Sequence, residues 1–304
     1  MAIAIKIQDI RKTYRDARLK RSEVLKGISF EVEEGEAFGF IGPNGAGKSS
    51  TIKILVGVSR PTSGEAEIFG RPIAEHASRI GMGYVPESPY LNDYLTPYEV
   101  LSAGIALHKL KVPDVRRYCL EWLERFRIAH VADKKIRSFS KGMVQRTALA
   151  HALAVKPRLL ILDEPLSGLD PIGRRETVDI LHEYHSQGGT LFFSSHVLHD
   201  VERLAQRFGF IHKGLIKTVQ TPAELLNKHG NYSVFFCCTG QIGIEGAVRL
   251  DSSNWCVEVS TAALWDTLQR LRECGAELRE VRPMISLEKA FLEFIGEDIK
   301  TVAV

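Results

Sequence analysis

The stretch Gly42-Pro-Asn-Gly-Ala-Gly-Lys-Ser49 constrains this chain more than any other. It follows the apolar run Ala37-Phe-Gly-Phe-Ile41, of the kind that forms a buried strand. It precedes a segment from Ser49 to Val58 in which Ile52, Leu55 and Val56 have helical spacing. A G-x-x-x-x-G-K-[ST] pattern between a buried strand and a helix reads as a phosphate-binding loop. Gly42, Gly45 and Gly47 let consecutive backbone N–H groups curl around a β-phosphate without side-chain clashes, with Pro43, Asn44 and Ala46 completing the turn. The helix opening near Lys48 presents its positive end to the anion. Lys48 is placed to bridge β- and γ-phosphates, and Ser49 to give a hydroxyl to Mg²⁺, with Ser50 beside it. ATP and Mg²⁺ are the ligands this pattern predicts.

A second apolar run, Leu159-Leu-Ile-Leu162, ends in Asp163-Glu164-Pro165. Buried parallel strands end at the sheet edge where ligands bind. Asp163 is expected to hold the magnesium, directly or through its waters, and Glu164 to act as general base on an attacking water. The structural alternative is a pair of loop-capping carboxylates.

Strand texture elsewhere falls at Ala4–Ile10, Val24–Val32 and Thr190–Phe193; the first residues alternate like an edge strand. From about Ser88 to Pro157 the texture is helical, with Thr96-Pro-Tyr-Glu99 in the form of a capping box and Leu120, Leu123 and Phe126 as an apolar stripe. Strands alternating with helices imply a mostly parallel sheet. The pattern changes near Thr221, where strands at Tyr232–Cys238, Ala247–Leu250 and Trp255–Val259 join helical faces Leu264/Leu268/Leu271 and Leu287/Phe291/Phe294/Ile295. The expected division is 1–222, an ATP-binding domain with a helical subdomain at about 88–157, and 223–304, a small α+β domain.

Composition excludes several classes. Charged residues make up 25%, so nothing argues for disorder, and no apolar run approaches the roughly 20 residues that span a bilayer. The N-terminus lacks the charged start and apolar core of a signal peptide, which points to the cytoplasm. The five cysteines form no C-x-x-C pair and read as reduced, packed thiols. Net charge is +3, divided as −3 from Leu225 onward and +6 before it, too mild to imply nucleic acid as a partner.

Three further segments complete an ordered series. Ser138-Phe-Ser-Lys-Gly-Met143 precedes a helix start, where an N-cap alone is the plain alternative; Ser167-Gly-Leu-Asp170 follows the acids; Ser194-Ser-His196 ends an apolar strand. Over residues 4 to 222 the series resembles the ATP-binding subunit of ABC transporters. The resemblance implies a P-loop NTPase core of the ABC ATPase type, working as a homodimer. It implies that Tyr14 stacks on adenine, that Ser140, Lys141, Gly142 and Met143 form the signature facing the ATP of the partner subunit, that Asp170 links the two sites, and that His196 bonds the γ-phosphate. Tyr14 could instead be a half-buried strand-end tyrosine, and His196 a capping histidine.

The family's glutamine falls at Glu87, in Tyr84-Val-Pro-Glu87, a side chain that can still accept from metal-bound water. The signature reads Phe-Ser-Lys-Gly-Met where Leu-Ser-Gly-Gly-Gln is commonest, so Lys141 replaces a glycine and Met143 a glutamine. The segment between Tyr14 and Leu25 is longer and more basic than usual, and the basic stretch 11–21 reads as a solvated hairpin tip or as a contact for anionic lipid or nucleotide. Glu87, the signature and a C-terminal domain closing on Ser286–Phe294 are together similar to the ATPases paired with ABC-2 type exporters. That branch implies ATP hydrolysis coupled to movement of a separate transmembrane permease, with this chain attached through it to the inner face of the membrane. The alternatives are a soluble mechanochemical ATPase acting on ribosomes or DNA, which usually carries two cassettes or a long coiled-coil insertion, and a non-hydrolysing sensor, which could dispense with Glu164.

Overall fold

A computed structural model describes residues 2–15, 21–228, 231–238, 244–251 and 253–283. The chain divides into two compact units, Met1–Val219 and Gln220–Val304. The first runs β1 (Ile3–Arg15), β2 (Arg21–Glu33), β3 (Ala37–Ile41), α1 (Lys48–Leu55), β4 (Ser63–Ile68), β5 (Arg71–Pro72), β6 (Met82–Val85) and α2 (Pro97–Leu107). It continues with α3 (Val115–Arg125), α4 (Lys141–Ala154), β7 (Leu159–Asp163), α5 (Pro171–Ser186), β8 (Thr190–Ser195), α6 (Leu198–Leu204), β9 (Arg207–His212) and β10 (Leu215–Gln220).

The central sheet has six strands in the order β10-β9-β3-β8-β7-β6. The β9–β3, β3–β8, β8–β7 and β7–β6 pairs are all parallel. Every residue of β3, β7 and β8 is buried, which is why these strands read as unbroken apolar runs. A second, antiparallel sheet has the order β2-β1-β4-β5. The N-terminal strand is therefore not at an edge: β1 pairs with β2 on one side and β4 on the other. Alternation reports one wet face; it does not report whether the strand's N–H and C=O rows are paired.

Phenylalanine joins the two sheets. Phe30 of β2 stacks on Phe38 at 5.5 Å and Phe40 at 5.2 Å, and Phe38 stacks on Phe192 at 5.9 Å. Ile5, Ile7, Leu25 and Ile28 from the outer sheet and Ile52 and Leu55 from α1 close the same core. The helix α1 ends earlier than its apolar pattern suggests because Gly57, at φ 78°, turns the chain out of the helix.

The helical segment packs α2, α3 and α4 on one another. Its entry is the expected capping box: Thr96 Oγ1 accepts from Glu99 N at 3.1 Å and Glu99 Oε2 accepts from Thr96 N at 2.8 Å. Leu123 and Phe126 of the predicted stripe are buried. Trp122, on the same helix, carries the Arg125 guanidinium 4.7 Å above its ring.

The second unit contains α7 (Pro222–Lys228), β11 (Asn231–Cys237), β12 (Val248–Arg249), β13 (Asn254–Ser260), α8 (Leu264–Glu273) and β14 (Glu277–Pro283). Its sheet is antiparallel in the order β12-β13-β11-β14. Val234, Phe236, Val257 and Leu271 form its buried centre, with Leu264, Leu268 and Trp255 packed against them, while Trp265 is exposed. The face Leu287/Phe291/Phe294/Ile295 and the segment Ser286–Phe294 lie outside the described residues, as do 16–20 of the basic stretch.

Candidate functional site

The chain leaves β3 at Ile41, wraps through Gly42–Gly47 and enters α1 at Lys48. Two glycines of this wrap stand at left-handed angles, Gly45 at φ 78° and Gly47 at φ 117°. Gly42 is required for space instead, since a Cβ there would lie 2.2 Å from the Ile211 carbonyl oxygen. The result is a depression of about 430 Å³ lined by Pro43 to Ser50, Glu87 and Glu164. A glycine-built cradle at a helix N-terminus suits a polyphosphate.

Within it, Lys48 is buried and donates to the Gly42 carbonyl at 2.6 Å. Its Nζ lies 3.5 Å from Glu164 Oε1, while His196 Nδ1 lies 2.8 Å from Glu164 Oε2. The amine of the loop and the histidine thus meet on the carboxylate of the second acid. Asp163 and Glu164 are both buried at the end of β7. Ser194 Oγ donates to Asp163 Oδ1 at 2.6 Å and accepts from Glu164 N at 2.9 Å. Burial first, and the Asp163 charge second, push the Tyr84 phenol up. Ser49 and Asp163 offer a hydroxyl and a carboxylate, the hard oxygen donors that Mg²⁺ takes alongside phosphate and water.

Tyr14 reaches this loop from β1, its hydroxyl 3.5 Å from Ser50 Oγ. Lys12 Nζ lies 4.9 Å from the ring centroid. Burial pushes the phenol up, but hydrogen bonds to Ser50 and Ser59 and the charges of Lys12 and Lys53 outweigh it, and the net shift is downward.

The signature residues lie elsewhere. Ser140 caps α4, its hydroxyl accepting from Met143 N at 3.3 Å, so the plain N-cap role is realised in the structure. Ser140, Lys141, Gly142 and Met143 line a different depression together with Gly168, Leu169 and Asp170, sharing no residue with the phosphate-loop depression. Gly142 is packed there, since a Cβ on it would lie 3.2 Å from the Gly168 carbonyl oxygen. Asp170 caps α5 through Gly173 N at 3.3 Å.

Three residues in these contacts carry no motif-derived role. Arg146 donates to Asp170 Oδ1 at 2.9 Å and to the Phe126 carbonyl at 3.1 Å. Gln145, fully buried, donates to the Pro165 carbonyl at 3.0 Å, tying α4 to the residue after Glu164. Ser194 joins both acids. Its position just before His196 was visible in the sequence; its partners on β7 were not.

The family model described as ABC transporter matches residues 25–167, from β2 through the phosphate loop and both acids. An uncharacterized ABC transporter ATP-binding protein of Nostoc sp. is 38% identical over 230 residues, covering 74% of this chain and 69% of the relative. The chain belongs to the ABC transporter family. It is an ATP-binding subunit of that family and an ABC ATPase by domain. The bacitracin transport ATP-binding protein BcrA of Bacillus licheniformis is 37% identical over 247 residues, 79% of this ABC subunit and 77% of its own length. A solved structure of the ATP-binding subunit of an ABC transporter superimposes with a TM-score of 0.68 at 31% identity, covering 74% of this chain and 92% of that one.

Proposed function

We propose that this ABC ATPase is the motor subunit of a membrane exporter, working as a homodimer in which each ATP lies between the phosphate loop of one copy and the signature of the other. The carrying observation is the separation of the two depressions. Phosphate loop, Glu87 and Glu164 line one, and Ser140–Met143 with Asp170 line the other, so one copy offers two half-sites. A second copy placed head to tail completes both.

Each residue then has a role. Lys48 and the loop amides hold the phosphates, and Tyr14 stacks on adenine. Ser49 and Asp163 would hold Mg²⁺, assisted by Glu87 through water; the ion supplies charge neutralisation at the phosphates. Glu164 accepts a proton from the attacking water, and His196 meets the γ-phosphate. Charge developing on the γ-phosphoryl group is met by groups already in place, as electrostatic preorganisation requires. Loss of the bridging phosphate lets the copies part. The helical segment α2–α4 relays that parting to a permease.

The exporter assignment is supported by the Phe139–Met143 signature, by Glu87, and by the Bacillus licheniformis relative, whose name assigns it to bacitracin transport. Among the described residues no helix is long and apolar enough to cross a membrane. In this reading a separate transmembrane subunit provides the path and holds the ATPase at the inner face of the membrane.

The test uses Lys48→Ala, which breaks the phosphate loop, and Gly142→Asp, which places a carboxylate against the γ-phosphate. Either homodimer has one broken half in both sites. Their heterodimer has one site with both halves intact, so two inactive proteins should regain part of their ATPase activity on mixing. If mixing folded mutants restores neither phosphate release nor ATP-dependent association, the composite site is refuted.

A further inference from the structure

Ser194 is fully buried at the end of β8, directly opposite Asp163 in the parallel β7–β8 register. Its hydroxyl accepts the Glu164 N–H at 2.9 Å and donates to Asp163 Oδ1 at 2.6 Å. A backbone N–H can only donate, and a hydroxyl has one proton, so the Ser194 proton is left for the carboxylate. The direction of this short chain is thereby fixed. Glu164 stands at φ 49°, in the left-handed region that non-glycine residues seldom enter. Its N–H is received there by Ser194 alone of the side chains on β8.

We propose that Ser194 is the positioning residue of both acids. It sets the direction of the Asp163 carboxylate toward a divalent cation. It also holds the Glu164 backbone in the strained turn from which that side chain meets Lys48 and His196. The proposal rests on the reading that Asp163 binds Mg²⁺ and Glu164 is the base. Alanine at 194 removes a donor from a buried carboxylate and leaves a buried N–H without its acceptor, a loss that volume alone cannot repair. Threonine keeps the hydroxyl and suits a strand. Cysteine keeps the approximate volume with a weaker donor.

The experiment compares the full chain carrying Ser194→Ala, Ser194→Thr or Ser194→Cys with the wild type and with Asp163→Ala. Equilibrium binding of a fluorescent ATP analogue is titrated with Mg²⁺, and phosphate release is followed separately. Ser194→Ala should raise the Mg²⁺ concentration for half-maximal analogue binding by about 10–100-fold, the usual effect of removing a partner of a metal ligand. Analogue binding in EDTA should be unchanged, and kcat should fall. Ser194→Thr should restore the metal response, and Ser194→Cys should lie between. An unchanged metal response in Ser194→Ala, with a shifted one in Asp163→Ala, overturns the proposal, even if Ser194→Ala melts earlier. An unchanged response in both overturns the underlying reading of Asp163. Should Ser194→Ala fail to fold, Ser194→Cys decides: a wild-type metal response in that variant overturns the proposal.

Discussion

Gly45 and Gly47 are two residues apart in one loop, yet the structure gives alanine a different fate at each. Both stand at positive φ, 78° and 117°, so either substitution forces an L-residue into backbone it avoids. The surroundings differ. A Cβ at Gly47 would lie 2.6 Å from Leu25 Cδ2 and 3.2 Å from Ile211 Cδ1, inside the core. A Cβ at Gly45, one of the residues lining the depression that also holds Lys48 and Glu164, would meet nothing within 4 Å. Overpacking a core costs about 1–3 kcal/mol, a term that Gly47→Ala carries and Gly45→Ala does not. For a domain of roughly this size about 1 kcal/mol moves Tm by about 2–4 °C. Gly47→Ala should therefore melt about 2–12 °C below Gly45→Ala by circular dichroism without nucleotide. Gly45→Ala should stay folded and still bind an ATP analogue poorly, because an L-residue at φ 78° strains the turn that carries the loop's N–H groups. Melting of Gly45→Ala at or below the temperature of Gly47→Ala would refute the reasoning, since the core clash would then carry no weight.

Glu164→Gln should keep ATP affinity, lose turnover by about 10²–10⁴-fold and accumulate an ATP-bound dimer, checked by phosphate release and size-exclusion mass with ATP. His151 supplies a pH prediction: burial, and then the charge of His108, hold its imidazole below the ordinary 6.5. The unfolded chain thus binds a proton more readily than the folded one between the lowered value and 6.5, and stability falls as pH drops through that window. His151→Gln should flatten denaturant midpoints measured between pH 7 and pH 5, whereas an unaltered slope removes His151 as the cause.

What the sequence disclosed follows from where information is local. β3, β7 and β8 are buried on both faces, so each shows itself as an apolar run without reference to its neighbours. The capping box at Thr96 is written within four residues, and the phosphate loop within eight. By contrast β14, Glu277–Pro283, carries Glu277, Arg279, Glu280 and Arg282 and has no such run; pairing with β11 makes it a strand. Gly42 could be read as part of a motif, but not as the residue that clears the Ile211 carbonyl. Ser194 was visible as a residue and silent as a partner, because its bond to Asp163 spans 31 positions and exists only once β7 and β8 align.

The phenylalanine stack between the two sheets has an optical consequence. The chain has three tryptophans, and none belongs to that core: Trp122 lies on α3, and Trp255 and Trp265 lie in the second unit. Indole emission therefore comes from outside the phosphate loop, and Trp122, the tryptophan of the first unit, does not line its depression. A change in intrinsic fluorescence on adding ATP would record altered surroundings of Trp122 in the helical segment or of Trp255 and Trp265 in the second unit. Trp122→Phe separates those two locations, so the chain's own tryptophans report which region responds to the nucleotide.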